Sequence, residues 1–259
     1  MRTTITPAMA LVALAAAPLA ARQNDAPAGT IGQVIEVDPL NGHAGPFEAG
    51  VRRHLEHEAK AGATWEWAGF EIVMGERTGQ YMFGSFNHTY ADFDTPDTDP
   101  QASAASIDQN IAPHVADAAV SLIRFFPELS LFDPDAAPSP LYEVLTFQIG
   151  MDGDEAFRHF LGKLKTTFET AGLPIQYHVY QFAQGGPSGG GTWVVSIPHA
   201  NFASMGGGGD GGDMQGLTEQ VLGRFESRQL WDMANHSITS MRSEVFALRP
   251  DLSLNLTSN

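Results

Sequence analysis

The chain has no cysteine. That excludes disulfides, thiolate metal sites, a cysteine nucleophile and lipid attachment through sulfur. Positive charge is scarce as well: 14 Lys and Arg stand against 30 Asp and Glu, a formal net charge of −16. A surface of that sign does not attract nucleic-acid phosphates or anionic lipid, so no nucleic-acid partner is expected. Charged residues are only 17% of the 259, whereas 43% are hydrophobic, so the chain can build a core and is not of the disordered type. Beyond the N-terminus, no apolar run approaches the ~20 residues that a membrane-crossing helix needs. Several signatures of catalysis are also missing. No serine sits at a strand-to-helix turn as a nucleophile elbow requires, and no G-x-G-x-x-G opens a βαβ unit. The glycine-rich stretch 206–213 lacks the Gly-Lys-Ser/Thr ending of a phosphate loop and reads as a linker.

What is present begins with a targeting segment. Arg2 is followed by the apolar run Ala8 to Ala21, rich in alanine and leucine and ending in small residues. This pattern matches a secretory signal peptide cleaved near Ala20 to Arg22. Residues 1–21 are therefore expected to be removed. The remainder is expected to be exported, periplasmic or extracellular, with no membrane association after cleavage.

The rest of the chain repeats itself. Ala61-Gly62 recurs as Ala171-Gly172, Ser85-Phe-Asn-His88 as Ser196-Ile-Pro-His199, and Pro127-Glu-Leu-Ser-Leu131 as Pro250-Asp-Leu-Ser-Leu254, in the same order. Each copy reads as strand, amphipathic helix, hairpin, second helix and closing extended segment. The strands are 31–37 and 141–149. In copy two, Phe157, Phe160, Leu161, Leu164 and Phe168 form one helical stripe, which Gly172 can end. The hairpins are 65–74 with 80–86, and 175–182 with 192–197. The second helices are expected over 107–126 and 214–241, and the closing segments at 129–132 and 252–256. The order β-α-β-β-α-β is the ferredoxin-like unit, which leaves one sheet face uncovered. The expectation is an α+β fold of two tandem units, 22–138 and 139–259, packed sheet to sheet as an intramolecular pseudo-dimeric barrel. Such a chain can be a monomer with internal pseudo-two-fold symmetry.

The helix ending Lys60-Ala61-Gly62, the hairpin Gly79-Gln-Tyr-Met-Phe-Gly-Ser85 and the closing Leu248-Arg-Pro-Asp-Leu-Ser253 carry a resemblance to a known group. In these features the chain resembles the dimeric α/β-barrel superfamily, which includes the antibiotic-biosynthesis monooxygenase-like and NIPSNAP-like proteins. The resemblance implies the fold more strongly than an activity, and it carries over no catalytic residue.

The two copies also differ. Aligning Ala61-Gly62 with Ala171-Gly172 sets Gly50 against Phe160, His54 against Leu164, and Glu58 against Phe168. At about 100° per residue, His54 and Glu58 fall within or beside the stripe of Phe47, Val51 and Leu55. A carboxylate under a helix is costly unless paired, and His54, four residues away, can bond it. One reading is a polar pocket between this helix and its sheet, with His54 and Glu58 in the wall. The other is a rotated helix that leaves both at a solvated edge. Trp65 and Trp67 share a strand face, either as core between the sheets or, for Trp67, as a stacking wall for a ligand. His54, Glu58 and Trp67 are the candidate ligand-binding residues.

Other signals are weaker. His178 and Tyr180 share the opposite face of their strand, and one reading gives them an acid-base role. His88 and His199 end equivalent strands, which suggests a structural corner. His54, His57 and Glu58 lack zincin spacing and a third ligand, so no metal is assigned. The acidic run Asp92, Asp94, Asp97 and Asp99 lacks the EF-hand glycine and glutamate and reads as a solvated loop, with weak calcium binding as the minority alternative. No cofactor is expected. Three functions stay open: a binding protein for a small, partly apolar molecule in unit 1; a cofactor-free oxygenase, isomerase or lyase; and a structural or interaction module.

Overall fold

The computed structural model describes residues 30–186, 191–205 and 214–256. Residues 1–21, expected to be a signal peptide, and the glycine-rich stretch 206–213 lie outside the described residues.

The first half runs β1 (Ile31–Pro39), α1 (Ala44–Ala61), β2 (Ala68–Met74), β3 (Tyr81–His88), α2 (Pro100–Asn110) and β4 (Val115–Phe125). The second runs β5 (Leu141–Ile149), α3 (Asp154–Ala171), β6 (His178–Gln184), β7 (Thr192–His199), α4 (Phe202–Met205), α5 (Met214–Leu222), α6 (Arg224–Ser237) and β8 (Ile238–Leu248). The first half thus has the order β-α-β-β-α-β, and the second matches it with α4, α5 and α6 standing where α2 stands. All pairings between neighbouring strands are antiparallel, and the strand order β1-β3-β2-β8-β5-β7-β6-β4 closes on itself. The two sheets therefore join at both edges rather than only facing each other. The joining seams are short. β4 meets β6 from Leu122↔Gln184 to Phe125↔Tyr180, and β2 meets β8 from Phe70↔Leu248 to Met74↔Val245. Within each half, β1·β4 and β5·β8 pair along their whole lengths.

Alternation sorts the side chains. On β1, Ile35 and Val37 point outward and pack with Phe47, Val51 and Tyr81 under α1. Val34 and Glu36 point inward. α1 and α3 each end at a glycine in the left-handed conformation, Gly62 (φ 86°) and Gly172 (φ 62°), as their shared Ala-Gly signature predicts.

One expectation is corrected in both halves. The second helices end at Asn110 and Ser237, and the stretches expected to continue them, 115–125 and 238–241, belong instead to the fourth strands, Val115–Phe125 and Ile238–Leu248. The segments expected to close each half are instead short 3-10 turns with isolated bridges, Leu131↔Tyr177 and Trp67↔Leu254. The cause is local. Residues 116–120 are exposed on both faces of β4, so no alternation of polarity marks them as a strand. Ala116, Ala118 and Ala119 are strong helix formers. At the second site no glycine stops the pattern between Ala234 and Ile238.

Candidate functional site

The inward faces of the strands enclose a cavity of about 480 Å³. That size lies in the range of small-molecule sites. Its wall is mostly aromatic and aliphatic: Phe70, Phe86, Phe125, Tyr142, Tyr180 and Phe246 all border it. Two glycines make the shape. A Cβ on Gly32 would lie 2.8 Å from the Phe86 ring, and one on Gly84 would lie 2.5 Å from it. Both positions must stay bare for Phe86 to lie across β1 and β3 inside the barrel.

One end of the cavity is floored by charge. The β2–β3 turn, bent by Gly75 (φ 114°) and Gly79 (φ 91°), brings Arg77 inward. The Arg77 Nε donates to both oxygens of Glu244 at 3.1 Å, Nη2 donates to Glu244 Oε2 at 2.6 Å, and Nη1 pairs with Glu36. Glu244 is almost fully buried, with its side chain 1% exposed. Arg242 Nε lies 3.1 Å from Glu244 Oε2 as an ion pair without hydrogen-bond alignment. Hydrogen bonds and charge from Glu244 and Glu36 hold the Arg77 guanidinium above its ordinary pKa despite its burial. Two cations and two anions therefore balance at the floor.

At the other end, β1, β2 and β6 begin and the connection from β4 to β5 crosses. Here the exposed residues of the lining collect, among them Glu66, Asp133 and Gln176. This end is the mouth. Phe125, Phe132, His178 and Tyr180 form a continuous aromatic group beside it. Ring centroids lie 5.3 Å apart for Phe125–Phe132, Phe132–His178 and Phe125–Tyr180, and His178 stacks on Tyr180 at 6.3 Å. Burial pushes the His178 imidazole below its ordinary pKa, against a hydrogen bond to the Ser196 backbone. A neutral ring that donates one N–H to a carbonyl keeps a lone pair on the other nitrogen. Burial raises the phenols of Tyr142 and Tyr180, so both stay protonated. The Tyr142 hydroxyl accepts from the Ser139 backbone N–H at 2.9 Å. The Tyr180 hydroxyl has no hydrogen-bond partner among the described residues.

The sequence-derived candidates lie elsewhere. His54 and Glu58 do meet, with His54 Nδ1 3.8 Å from Glu58 Oε1, and both are largely buried. What covers them is α2 rather than the sheet. Ser106 Oγ lies 3.1 Å from His54 Nδ1, and the Thr98 hydroxyl donates to Glu58 Oε2 at 2.6 Å. The backbone carbonyl of Asn110 sits so close to Gly50 that a Cβ there would lie 1.9 Å away. The matching stripe on α3 faces its own second helices: Phe160 meets the Trp231 ring at 5.0 Å. The stripe in both halves is therefore a helix–helix seam, apolar in one half and polar in the other. Burial pushes His54 below its ordinary pKa, Glu58 pulls it up, and His57 adds to the lowering. The Ser106–His54–Glu58 group does not form a nucleophile relay, because both neighbours approach the same ring nitrogen.

Trp67 pairs through its backbone with Leu254, with N–O distances of 2.9 Å in both directions. Trp65 packs on His88 at 4.1 Å. His88 receives or gives a 2.7 Å bond with Ser85 and ends β3, while His199 ends β7 beside Glu143. Three residues of the acidic run bond backbone N–H groups. Asp92 accepts from the Thr89 N–H, Asp97 from the N–H groups of Thr64 and Trp65, and Asp99 caps α2. No group of three or more potential metal ligands occurs among the described residues. No described helix is long and apolar enough to cross a membrane.

His178 and Tyr180 thus reach the cavity, as their shared strand face allowed. Tyr142, Phe125, Arg77 and Glu244 were not found from sequence. Alternation along 141–149 could have signalled Tyr142. The pairing of Arg77 with Glu244, 167 positions apart, has no local signal.

No protein-family model matches the chain, and no curated protein matches it in sequence. Solved structures match in shape. A proposed monooxygenase from Lactobacillus acidophilus superposes with a TM-score of 0.53 over 87% of this chain and 96% of its own, at 7% identity. An anthrone oxidase-like protein gives 0.53 over 85% and 92%, at 9% identity. A chlorite dismutase mutant from Candidatus Nitrospira defluvii gives 0.51 over 87% and 93%, at 10% identity. At such identities the likeness speaks to fold alone, and the fold is that of the dimeric α/β barrels.

Proposed function

We propose that the protein holds a small, largely apolar, ring-containing molecule inside the barrel. The observation that carries this reading is the cavity of about 480 Å³ whose wall is built from inward-facing aromatic side chains. A packed core of this size would not leave such a void, since empty apolar space costs contact energy. His54 and Glu58 serve in this reading as the polar seam that docks α2, and Trp67 as part of the outer wall. The test uses N-phenyl-1-naphthylamine, an uncharged dye that brightens in apolar sites. Wild type should bind it with saturable stoichiometry, and Val194→Trp, which fills the cavity from β7, should abolish the signal while leaving the melting temperature within a few degrees. Equal dye binding by both proteins would refute the reading.

A second reading is favoured by His178. A neutral imidazole with a free lone pair, held half-buried among aromatic rings, can accept a proton from a bound substrate. Together with the oxidase and monooxygenase names of the structural neighbours, this supports an oxygenase-type activity on the same ligand. Oxygen uptake lost in His178→Phe, with ligand binding retained, is the expected outcome. Uptake unchanged in that variant would remove His178 from the chemistry.

Two further parts of the proposal concern history and place. The repeated element order and the shared Ala-Gly, Ser-x-x-His and Pro-x-Leu-Ser-Leu signatures support descent from a doubled unit. The run Ala8 to Ala21 supports export, to be checked by N-terminal sequencing of protein recovered outside the cytoplasm.

A further inference from the structure

The charges around the cavity are unevenly placed. Its cationic lining, among the described residues, is Arg77 and Arg242, both on the floor. Neither is free. Arg77 is shared between Glu244 and Glu36, and Arg242 pairs with Glu244. A ligand carboxylate or phosphate reaching the floor would have to displace a carboxylate that is itself buried. At the mouth, the charged residues of the lining are Glu66 and Asp133, both exposed and both negative. His178, beside the mouth, is held neutral by burial. An anion therefore meets repulsion on entry and no unpaired cation inside. The polar groups left for a ligand are uncharged, and among them the Tyr180 hydroxyl, in the aromatic group beside the mouth, lines the cavity without a hydrogen-bond partner among the described residues. Being protonated, that phenol can both donate and accept.

We infer that the cavity selects uncharged ring compounds bearing one hydroxyl or carbonyl group, with the Tyr180 hydroxyl as their polar contact and Glu66 and Asp133 as the residues that turn anions away. This inference rests on the proposed use of the barrel cavity. The physical reasoning is one of differences. A neutral phenol or ketone loses little hydration on entry and recovers a hydrogen bond to Tyr180. A carboxylate of the same ring size loses far more hydration and recovers no charge partner. Specificity of this kind comes from what the site withholds as much as from what it offers.

The experiment is a binding series by titration calorimetry or tryptophan fluorescence at pH 7.5 and low salt. The ligands are naphthalene, 2-naphthol and 2-naphthoate; the proteins are wild type, Tyr180→Phe, the double variant Glu66→Gln/Asp133→Asn, and Val194→Trp. Naphthol should bind wild type roughly tenfold or more tighter than naphthoate. The double variant should narrow that ratio by about threefold, and added salt should narrow it in wild type but not in the variant. Tyr180→Phe should weaken naphthol about fivefold, the loss of one net hydrogen bond, and leave naphthalene unchanged. Naphthoate binding as well as naphthol, with both abolished in Val194→Trp, would overturn the charge selection and leave the cavity reading standing. A naphthol affinity unmoved in Tyr180→Phe would remove the polar contact. If no ring compound binds wild type, or Val194→Trp binds as wild type does, the cavity reading itself fails and this inference with it.

Discussion

Replacing Arg77 by alanine should strip the floor of the barrel. In the native protein the Arg77 guanidinium makes three contacts with Glu244 and one ion pair with Glu36. Side-chain exposure is 18% for Arg77 and 1% for Glu244, so this is a buried pair. Removing one partner of such a pair costs about 3–5 kcal/mol, because the other charge stays behind without compensation. Arg242 remains 3.1 Å from Glu244 and keeps part of the attraction, which places the expected cost at the lower end, about 3 kcal/mol. The Glu36 pair, more exposed, adds at most ~1 kcal/mol. For a chain of this size the melting temperature should fall by roughly 6–12 °C. Urea denaturation at a fixed pH gives the free energy directly. The companion variant Arg77→Ala/Glu244→Gln removes the stranded charge and should recover about 1–2 kcal/mol of the loss. A single-variant cost below about 1 kcal/mol, or a double variant no more stable than the single, would refute the account of the floor as a compensated ionic plug.

Three further outcomes are expected. Gly50→Ala would ordinarily gain about 1 kcal/mol in a helix. Here the added Cβ meets the Asn110 carbonyl, so a net loss of about 1–3 kcal/mol is expected, with faster proteolysis within residues 95–111; a stabilised variant would contradict the close α1–α2 contact. Arg249 bonds Glu48 and holds its carboxyl below the usual range, and does the same to the more exposed Asp251. A depressed carboxylate stabilises above its unfolded pKa of ~4 and loses that contribution as pH falls through its folded value, so the stability gap between wild type and Arg249→Ala should be widest near pH 6 and shrink toward pH 3 in urea titrations. His54 is also depressed, by burial. Its contribution is present above ~6.5 and lost as pH falls, so His54→Gln should flatten the decline in melting temperature between pH 7 and pH 5; an unchanged slope would show that His54 is not a source of acid lability.

The fold was legible where local pattern and tertiary role agree. Strand β5 and helix α3 announce themselves, the first as an apolar run and the second as a stripe ending at Gly172. β4 was not legible, because its alanine-rich first half is exposed on both faces and carries helix propensity without strand periodicity. The site divided in the same way. His178 and Tyr180 could be placed together from spacing alone, since residues two apart share a strand face. That this face looks into the barrel depends on closure of the sheet, which no local pattern encodes. The comparison of Gly50, His54 and Glu58 with Phe160, Leu164 and Phe168 correctly located a buried stripe. It could not say that a second helix, rather than the sheet or solvent, lies on top, because α2 is itself small and polar and leaves no apolar trace of the contact.

The two seams that close the barrel are each only a few residue pairs long, and each joins a strand made early in translation to one made late. While the ribosome is still producing the second half, β2 and β4 of the first present bare backbone on both flanks. Such flanks are templates for unwanted pairing between nascent chains. Once closure is complete, the same short zippers are the least costly places for the staves to part, and hydrogen exchange at Glu71 and Arg124, whose backbone groups face β8 and β6 across the seams, should outpace that at Val34 and Val144, which sit in the long-paired interior of each half.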